Sequence, residues 1–296
     1  MTLDLQHPFD PVFLARLEKL HLCSRRVFSG RINAKHVSKK LGTGTEFADH
    51  RSYAPGDDLR LLDWNIYART EKLYTNLFRQ EEDRNIFMLL DCSLSMAVEK
   101  EKWDFSRKLA AALAYIGLYD MDRIFLLGFG QGITNTRPVL RGRRGVMQAL
   151  KFLGSLDASG GTDFLHTARD FSSMHGQKQG MVIFISDFLD TEGLPAALDR
   201  FFSMGFEVLA IQVLTPFELD PKLLGEWKLA NPEGTKPYTA HLTRRTLARY
   251  RNEIAAHGNM LRRHILAHRG AYIRAITSTH LEDLILKELR AGNLLA

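Results

Sequence analysis

Two apolar segments of this chain end in aspartate, the first at Asp91 and the second at Asp187. Two serines follow the first aspartate, Ser93 and Ser95, at alternate positions that can point the same way from an extended loop. Carboxylate, hydroxyl and water oxygens suit a hard, octahedral cation such as Mg²⁺. The residue types and their spacing therefore predict a divalent-cation site containing both aspartates.

A third hydroxyl for this site is predicted in the loop Ser159-Gly-Gly-Thr162-Asp163, whose two glycines let the backbone come close to a neighbouring loop. Each residue also has a purely local interpretation. Ser93 and Ser95 are common helix caps, and Thr162 is a good N-cap for the helix Phe164–Met174. Asp187 suits a turn after a strand. The metal interpretation rests on the whole set in chain order.

The elements that must position these residues alternate between short apolar runs and helical stretches. Continuous apolarity of this length is typical of strands buried on both faces, as in a parallel sheet. The predicted strands are Asn85–Asp91, Arg123–Phe129, Met181–Asp187, Phe206–Val213 and Ala271–Ile276. The predicted helices between them cover about 103–119, 144–153, 163–174 and 194–203.

This alternation favours an α/β fold, an open and mainly parallel sheet with helices on both faces. In such sheets ligands bind beyond the carboxyl ends of the strands, where the strand order reverses. Both Asp91 and Asp187 would then lie at the binding edge. We assign this domain to residues 85–296, with a possible hairpin inserted at 214–240.

A long helix is predicted near 243–268, with one apolar face, arginines on the other, and Gly270 as its C-terminal cap. Residues 1–84 form an N-terminal extension of different character. We expect a helix near 10–22, a loop from Arg25 to Lys40, and short strands around Trp64–Ala68 and Leu73–Phe78.

Composition agrees with an ordinary globular protein. The 296 residues are 45% hydrophobic and 25% charged. The N-terminal residues lack the basic start and apolar stretch of a signal peptide, and no apolar run approaches the ~20 residues of a membrane helix. Cys23 and Cys92 have no metal-type or redox-type spacing. These features predict a cytoplasmic protein with free thiols.

The formal net charge is +6 and is unevenly distributed. Residues 241–296 hold ten Lys and Arg against four Asp and Glu, whereas residues 86–240 hold sixteen against eighteen. A basic C-terminal region can attract nucleic acid or an acidic protein. Because no nucleic-acid-binding motif accompanies the charge, nucleic acid is the weaker of these hypotheses.

The order Asp91-x-Ser93-x-Ser95, then Thr162, then Asp187 resembles the metal-ion-dependent adhesion site of von Willebrand factor A domains. The resemblance covers about residues 85–280. It implies that the two serines and the threonine coordinate Mg²⁺ or Mn²⁺, partly through water held by the aspartates. It also implies that an acidic side chain of a bound partner supplies the missing ligand.

An upstream signature is similar to that of the bacterial family catalogued as domain of unknown function fifty-eight. It comprises Gly44-Thr-Glu46-Phe47, Arg51-Ser-Tyr53-Ala-Pro55-Gly56-Asp57-Asp58-Leu-Arg60, Asp63-Trp64 and Ala68-Arg69. The resemblance implies an adaptor that works with a MoxR-type AAA+ ATPase in assembly or activation of other proteins. The residues alone leave two interpretations of this segment open. In the first, Arg51, Arg60 and Asp63 form structural ion pairs and Trp64 is a packing residue. In the second, the segment is a surface that binds a partner.

Enzymatic function is the competing hypothesis, a metal-dependent hydrolase or phosphotransferase using Asp91 and Asp187. Such enzymes need a positioned base or nucleophile besides the metal, and the sequence shows none beside this constellation. We therefore expect no catalytic activity. His264 and His268 lie one helical turn apart, but the sequence shows no third ligand for a metal between them.

Overall fold

A computed structural model describes residues 9–28, 41–42, 46–79, 84–190, 192–230 and 237–291. The chain forms two compact units, one comprising Met1–Val27 and Arg84–Leu295 and the other Phe28–Asp83. Helix α1 (Pro11–Phe28) thus belongs almost entirely to the larger unit, although it precedes residue 84. The sequence-based boundary between residues 84 and 85 stays a prediction.

The smaller unit contains an antiparallel three-stranded sheet, a 3₁₀ turn at Leu59–Leu61 and helix α2 (Trp64–Thr70). Its strands, in the order β1-β3-β2, are β1 (Leu41–Gly42), β2 (Glu46–Ser52) and β3 (Tyr74–Arg79). The expectation of a strand at Trp64–Ala68 is wrong. The Asp63 carboxylate accepts hydrogen bonds from the N–H groups of Asn65 and Ile66, both at 2.9 Å, and so caps a helix instead.

The larger unit is built on a six-stranded sheet in the order β11-β8-β7-β4-β5-β6. All neighbours pair in parallel except β5 and the edge strand β6, which are antiparallel. The strands are β4 (Asn85–Asp91), β5 (Arg123–Phe129), β6 (Ile133–Leu140), β7 (Met181–Ser186), β8 (Glu207–Leu214) and β11 (Ala271–Ile276). The predicted α/β class with a mainly parallel sheet is confirmed.

Helices cover both faces of this sheet, because successive strand residues point to opposite sides. One face packs on three helices through a phenylalanine-rich core that includes Phe87, Phe171 and Phe201. On the other face, Gly117 packs against Ile86 and Ile124. The helices are α3 (Leu94–Ala97), α4 (Lys100–Tyr119), α5 (Arg144–Gly154), α6 (Phe164–His175), α7 (Leu194–Ser203), α8 (Pro216–Leu219), α9 (Arg244–Ala267) and α10 (Leu281–Ala291).

In the range of the predicted hairpin, β9 (Gly225–Leu229) and β10 (Tyr238–Leu242) form an antiparallel pair, and the residues that connect them at 231–236 lie outside the described ones. Gly270 takes part in the C-terminal cap of α9, as predicted, because its N–H donates to the Ile265 carbonyl at 3.0 Å, but the left-handed residue is Arg269, with φ 61°. A Cβ on Gly270 would lie 2.7 Å from the Val208 carbonyl oxygen, so that glycine is needed for close approach to β8. Within the described residues, none of the helices is both long and apolar enough to cross a membrane.

Candidate functional site

The sheet reverses its strand order between β4 and β7. From β4 the chain continues to β5 on one side, and from β7 it continues to β8 on the other. Asp91 is the last residue of β4, and Asp187 directly follows β7. The two aspartates therefore lie at the crevice where open α/β sheets bind ligands, as the sequence predicts.

Asp91 is buried, and three neighbouring groups donate hydrogen bonds to its carboxylate. The Ser93 N–H donates to Oδ1 at 2.9 Å, and the Ser186 hydroxyl donates to Oδ2 at 2.6 Å. The Thr162 hydroxyl lies farther away, 3.3 Å from Oδ1 and 3.4 Å from Oδ2. The structure thus brings Thr162 to Asp91 across 71 positions of sequence.

Electrostatics at Asp91 disfavour its charged form. Burial, followed by the nearby Asp187 carboxylate, raises the pKa of Asp91 to about 6, while hydrogen bonds from Ser186 and Ser93 act in the opposite direction. Two carboxylates in one low-dielectric site repel each other. A cation bound between them would relieve that repulsion.

The hydroxyls of Ser93 and Ser95 lie 3.0 Å apart. Ser93 occupies the N-cap position of α3, but its side chain makes no capping hydrogen bond. The N-cap of α6 is Asp163, whose carboxylate accepts a hydrogen bond from His166 N, and not Thr162. Local capping therefore does not account for the hydroxyls of Ser93 and Thr162.

Backbone hydrogen bonds hold the two hydroxyl-bearing loops together. The Leu94 N–H donates to the Gly160 carbonyl at 2.9 Å, and the Ser159 N–H donates to the Cys92 carbonyl at 2.7 Å. Gly160 has φ +66°, a left-handed conformation that glycine adopts without steric cost. The glycines of this loop thus allow the close approach that the sequence suggests.

Asp187 is held by its own turn and by a lysine. Its Oδ1 accepts the Leu189 N–H at 3.1 Å, and its Oδ2 lies 2.8 Å from Lys102 Nζ. The next residue, Phe188, is fully buried with φ 53°, a conformation that costs a non-glycine residue about 1–2 kcal/mol. Its ring stacks on Phe164 at 5.6 Å, which joins this turn to the start of α6 behind Thr162.

Lys102 is the functional residue that the sequence does not reveal. Its side chain is 1% exposed, and Nζ lies 2.8 Å from Asp187 and 2.6 Å from Glu218. Burial acts to lower the pKa of Lys102, but the Asp187 and Glu218 carboxylates outweigh it and raise the pKa. Lys102 is therefore a protonated ammonium group beside the predicted site. A single lysine at the start of a helix carries no sequence signal for this role.

The charged cluster extends beyond Lys102. Glu218 Oε2 accepts the Thr215 N–H at 2.7 Å, and the Thr215 hydroxyl donates to Glu99 at 3.2 Å. Lys102 thus pairs with the Asp187 and Glu218 carboxylates, while Glu99 is joined to Glu218 through Thr215, and Asp91 is close enough to Asp187 for their charges to interact. This excess of negative charge, with three hydroxyls beside it, fits a hard dication.

Cys92, which lies within this site, is unsuited to nucleophilic chemistry. Burial, followed by the neighbouring Asp91 charge, raises the pKa of its thiol to about 12. A thiol rather than a thiolate is present at neutral pH, and the thiolate is the reactive form.

In the smaller unit, the upstream signature forms local ion pairs. Arg51 pairs with Asp57 at 2.6 Å, and Arg60 pairs with Asp58 at 2.7 Å. Trp64, expected to pack, is instead 61% exposed, with its ring edge-on to that of Tyr67. The arginines therefore fit the structural interpretation, whereas the tryptophan remains accessible to solvent.

The fold and the site define an α/β protein with a cluster of polar and acidic side chains at the switch point of its sheet. The chain belongs to the family described as Protein of unknown function DUF58, whose model matches residues 49–260. An uncharacterised protein of Mycobacterium tuberculosis is 28% identical over 230 residues, which is 76% of this chain and 72% of that protein.

Two solved structures are similar to it at low identity. The conserved hypothetical protein BatB from Bacteroides thetaiotaomicron has 17% identity and a TM-score of 0.45, and the match covers 70% of this chain and 98% of that one. A von Willebrand factor type A protein from Catenulispora acidiphila has 14% identity and a TM-score of 0.43, over 74% and 43% of the two chains.

Proposed function

We propose that the larger unit is a von Willebrand factor A-like interaction module that binds Mg²⁺ or Mn²⁺ at the switch point of its sheet. Ser93, Ser95 and Thr162 would supply hydroxyl ligands, and Asp91 and Asp187 would hold water around the ion. The observation that carries the proposal is the charge balance. Two carboxylates pair with one buried ammonium, the buried Asp91 carboxylate lies beside Asp187, and the Ser93 and Thr162 hydroxyls next to them do not cap helices.

The bound ion would attract an acidic side chain of a partner protein. An ion held by hydroxyls and water keeps most of its positive charge, and carboxylate is a favoured ligand of Mg²⁺. The motif resemblance implies that this partner is a MoxR-type AAA+ ATPase or a protein on which it acts. Exposed arginines along α9, among them Arg244, Arg245 and Arg249, would speed encounter with an acidic surface at low salt.

We propose no enzymatic activity for this site. A hydrolase needs a free base or nucleophile near the ion. Lys102 is engaged with two carboxylates at 2.8 and 2.6 Å, and the Cys92 thiol is buried. Metal-dependent hydrolysis of a phosphoester or peptide that disappears in Asp187→Ala would overturn this part of the proposal.

The test of the module is binding of the MoxR-type ATPase from the same organism, with Mg²⁺ and with chelator. We expect wild type to bind only with Mg²⁺ and the Ser93→Ala, Ser95→Ala double variant to lose at least ~10-fold in affinity in Mg²⁺. A matched double variant, Ser173→Ala with Ser203→Ala, changes two exposed serines whose hydroxyls donate only to carbonyls of their own helices. It should bind as wild type does.

Equal binding of all three proteins in both buffers would contradict a metal-dependent interface. Circular dichroism and melting of each variant show whether it is folded. If Ser93→Ala with Ser95→Ala is unfolded, Thr162→Val provides the same comparison from the other loop.

A further inference from the structure

A second cluster of metal-ligating side chains joins α7 to the C-terminal end of α9. Asp199 of α7 faces His264 and His268, which lie one turn apart on α9. Asp199 Oδ1 is 2.9 Å from His264 Nε2 and 3.9 Å from His268 Nε2. One ligand atom from each of the three residues lies within 4.8 Å of the others. Asp199 is the third group that the sequence does not show.

The His268 ring is held in an orientation suited to a metal ligand. Its Nδ1 lies 3.0 Å from the His264 carbonyl oxygen, so Nδ1 donates, and the neutral form of the ring then has its lone pair on Nε2. In metal-binding histidines, the ring nitrogen that does not bind the metal usually donates such a hydrogen bond, which fixes the orientation of the ring. Phe202 stacks on the same ring at 4.5 Å with an interplanar angle of 10°.

His264 presents a nitrogen atom that hydrogen bonding does not satisfy. Its Nε2 is shielded from solvent and has no hydrogen-bond partner, although Asp199 Oδ1 is 2.9 Å away. The two atoms are thus close without the alignment of a donor and an acceptor. A buried nitrogen left in this state costs about 1–3 kcal/mol, and coordination of its lone pair would remove that cost.

We propose that Asp199, His264 and His268 form a binding site for a first-row transition-metal dication such as Zn²⁺, with water in the remaining position. Two imidazoles and a carboxylate are zinc ligands, and ligand atoms around tetrahedral zinc are about 3.3 Å apart. The distances of 2.9 and 3.9 Å from Asp199 bracket that value. The oxygen-lined site at the switch point favours a harder ion, so the two sites have different preferences.

The location gives this site a structural role that is independent of the function proposed above. The C-terminus of α9 carries partial negative charge, which favours a cation there. A metal bound by both helices would cross-link α7 to α9, which pack on the same face of the sheet. Binding should therefore raise the melting temperature, because the metal stabilises only the folded state.

The test is a Zn²⁺ titration of untagged, chelator-treated protein in excess Mg²⁺, followed by calorimetry and by thermal melting. Wild type should bind one equivalent with a rise in melting temperature. The His264→Gln, His268→Gln double variant and the isosteric Asp199→Asn variant should lose that rise. Removing a residue that only hydrogen-bonds to a metal ligand typically lowers metal affinity by ~10–100-fold. The double variant removes two ligands, so its zinc affinity should fall by more than that.

Two controls separate this site from others. His241→Gln changes an exposed histidine on β10, and Asp91→Ala removes the switch-point site. Both should bind zinc as wild type does, and Co²⁺ should show imidazole-ligated visible absorption in them. Zinc binding by the double histidine variant at wild-type affinity would overturn the proposal, as would the absence of zinc binding by wild type. Loss of the zinc response in Asp91→Ala alone would also overturn it, because the metal would then lie at the switch point.

Discussion

Asp91 and Asp122 are buried aspartates at opposite edges of the same sheet, and the pKa of each is raised to about 6. Asp91 ends β4 at the carboxyl edge, with a serine hydroxyl, a threonine hydroxyl and a second carboxylate around it. Asp122 precedes β5 at the amino edge, where its Oδ1 lies 3.5 Å from Arg84 Nε. Its Oδ2 is buried without a hydrogen-bond partner.

The difference shows that a raised pKa alone does not identify a binding site. Burial is the main cause of the raised pKa at both residues, but the second largest contributions differ. The Asp187 carboxylate raises the pKa of Asp91, whereas the Arg84 guanidinium lowers that of Asp122. A surplus of carboxylates beside hydroxyls is the feature that favours a metal ion. At Asp122 the Arg84 guanidinium already offsets part of the cost of burying the charge, so this carboxylate has less need of a metal ion.

The largest expected effect comes from removing the cation in the Asp91 cluster. Lys102→Met leaves the buried Asp187 and the half-buried Glu218 without their ammonium partner, so the free energy of unfolding should fall by about 3–5 kcal/mol in metal-free buffer. Chemical denaturation with and without Mg²⁺ measures this, and Mg²⁺ should restore part of the loss. Lys100→Met, an exposed position on the same helix, should change stability by less than about 0.5 kcal/mol.

A loss below about 1 kcal/mol in Lys102→Met would show that Lys102 does not balance these carboxylates. Mg²⁺ should also stabilise Lys102→Met more than it stabilises wild type. An equal or smaller stabilisation of the variant would show that the dication does not substitute for the ammonium.

The second effect concerns pH and Asp122. Its folded-state pKa of about 6 lies above the unfolded value of about 3.9. The folded state therefore holds this proton more tightly, and the stabilisation present below the unfolded pKa is lost as pH rises through 6. Asp122→Asn removes this titration. As pH rises from about 4 to about 7, the free energy of unfolding of the variant should therefore increase relative to that of wild type by roughly 1–3 kcal/mol.

Denaturation of both proteins across this range provides the difference. A difference that is flat with pH would mean that Arg84 compensates fully for the burial of Asp122. In either case Asp122→Asn should leave divalent-cation binding unchanged, which separates it from the Asp91 site.

The smallest effect is expected at Thr162, whose contacts with Asp91 at 3.3 and 3.4 Å are long. Thr162→Val keeps the shape and removes the hydroxyl, so the unfolding free energy should fall by about 1 kcal/mol or less. Mn²⁺ affinity should fall about 10-fold, as measured by isothermal titration. Unchanged affinity would remove Thr162 from the proposed ligand set.

The sequence predicts the sheet and its binding edge well, because both depend on local patterns. The apolar runs that end at Asp91 and Asp187 identify buried strands, and the parallel order then requires their ends to meet. The sequence fails where partners are distant. Lys102 and Glu218 are 116 positions apart, and Asp199 joins the histidines of α9 only through packing of α7.

Two departures from the predicted local structure have local causes. The aromatic and β-branched character of Trp64–Ala68 favours a strand, but the N-cap at Asp63 decides for a helix. Gly270 donates its N–H to the last turn of α9, but Arg269 takes the left-handed conformation usual for a capping glycine, and the missing side chain of Gly270 allows close approach to Val208. In both cases a single backbone or capping contact outweighs the conformational preference of the residue types.

The central claim is that the Asp91 cluster, and not Asp122, binds a hard dication. It is tested most directly by Mn²⁺ titration of wild type, Asp91→Asn and Asp122→Asn, with free Mn²⁺ followed by electron paramagnetic resonance. Mn²⁺ prefers oxygen donors, so it reports on this site. We predict one bound equivalent in wild type and Asp122→Asn, and loss of that binding in Asp91→Asn. Wild-type affinity in Asp91→Asn would contradict the account.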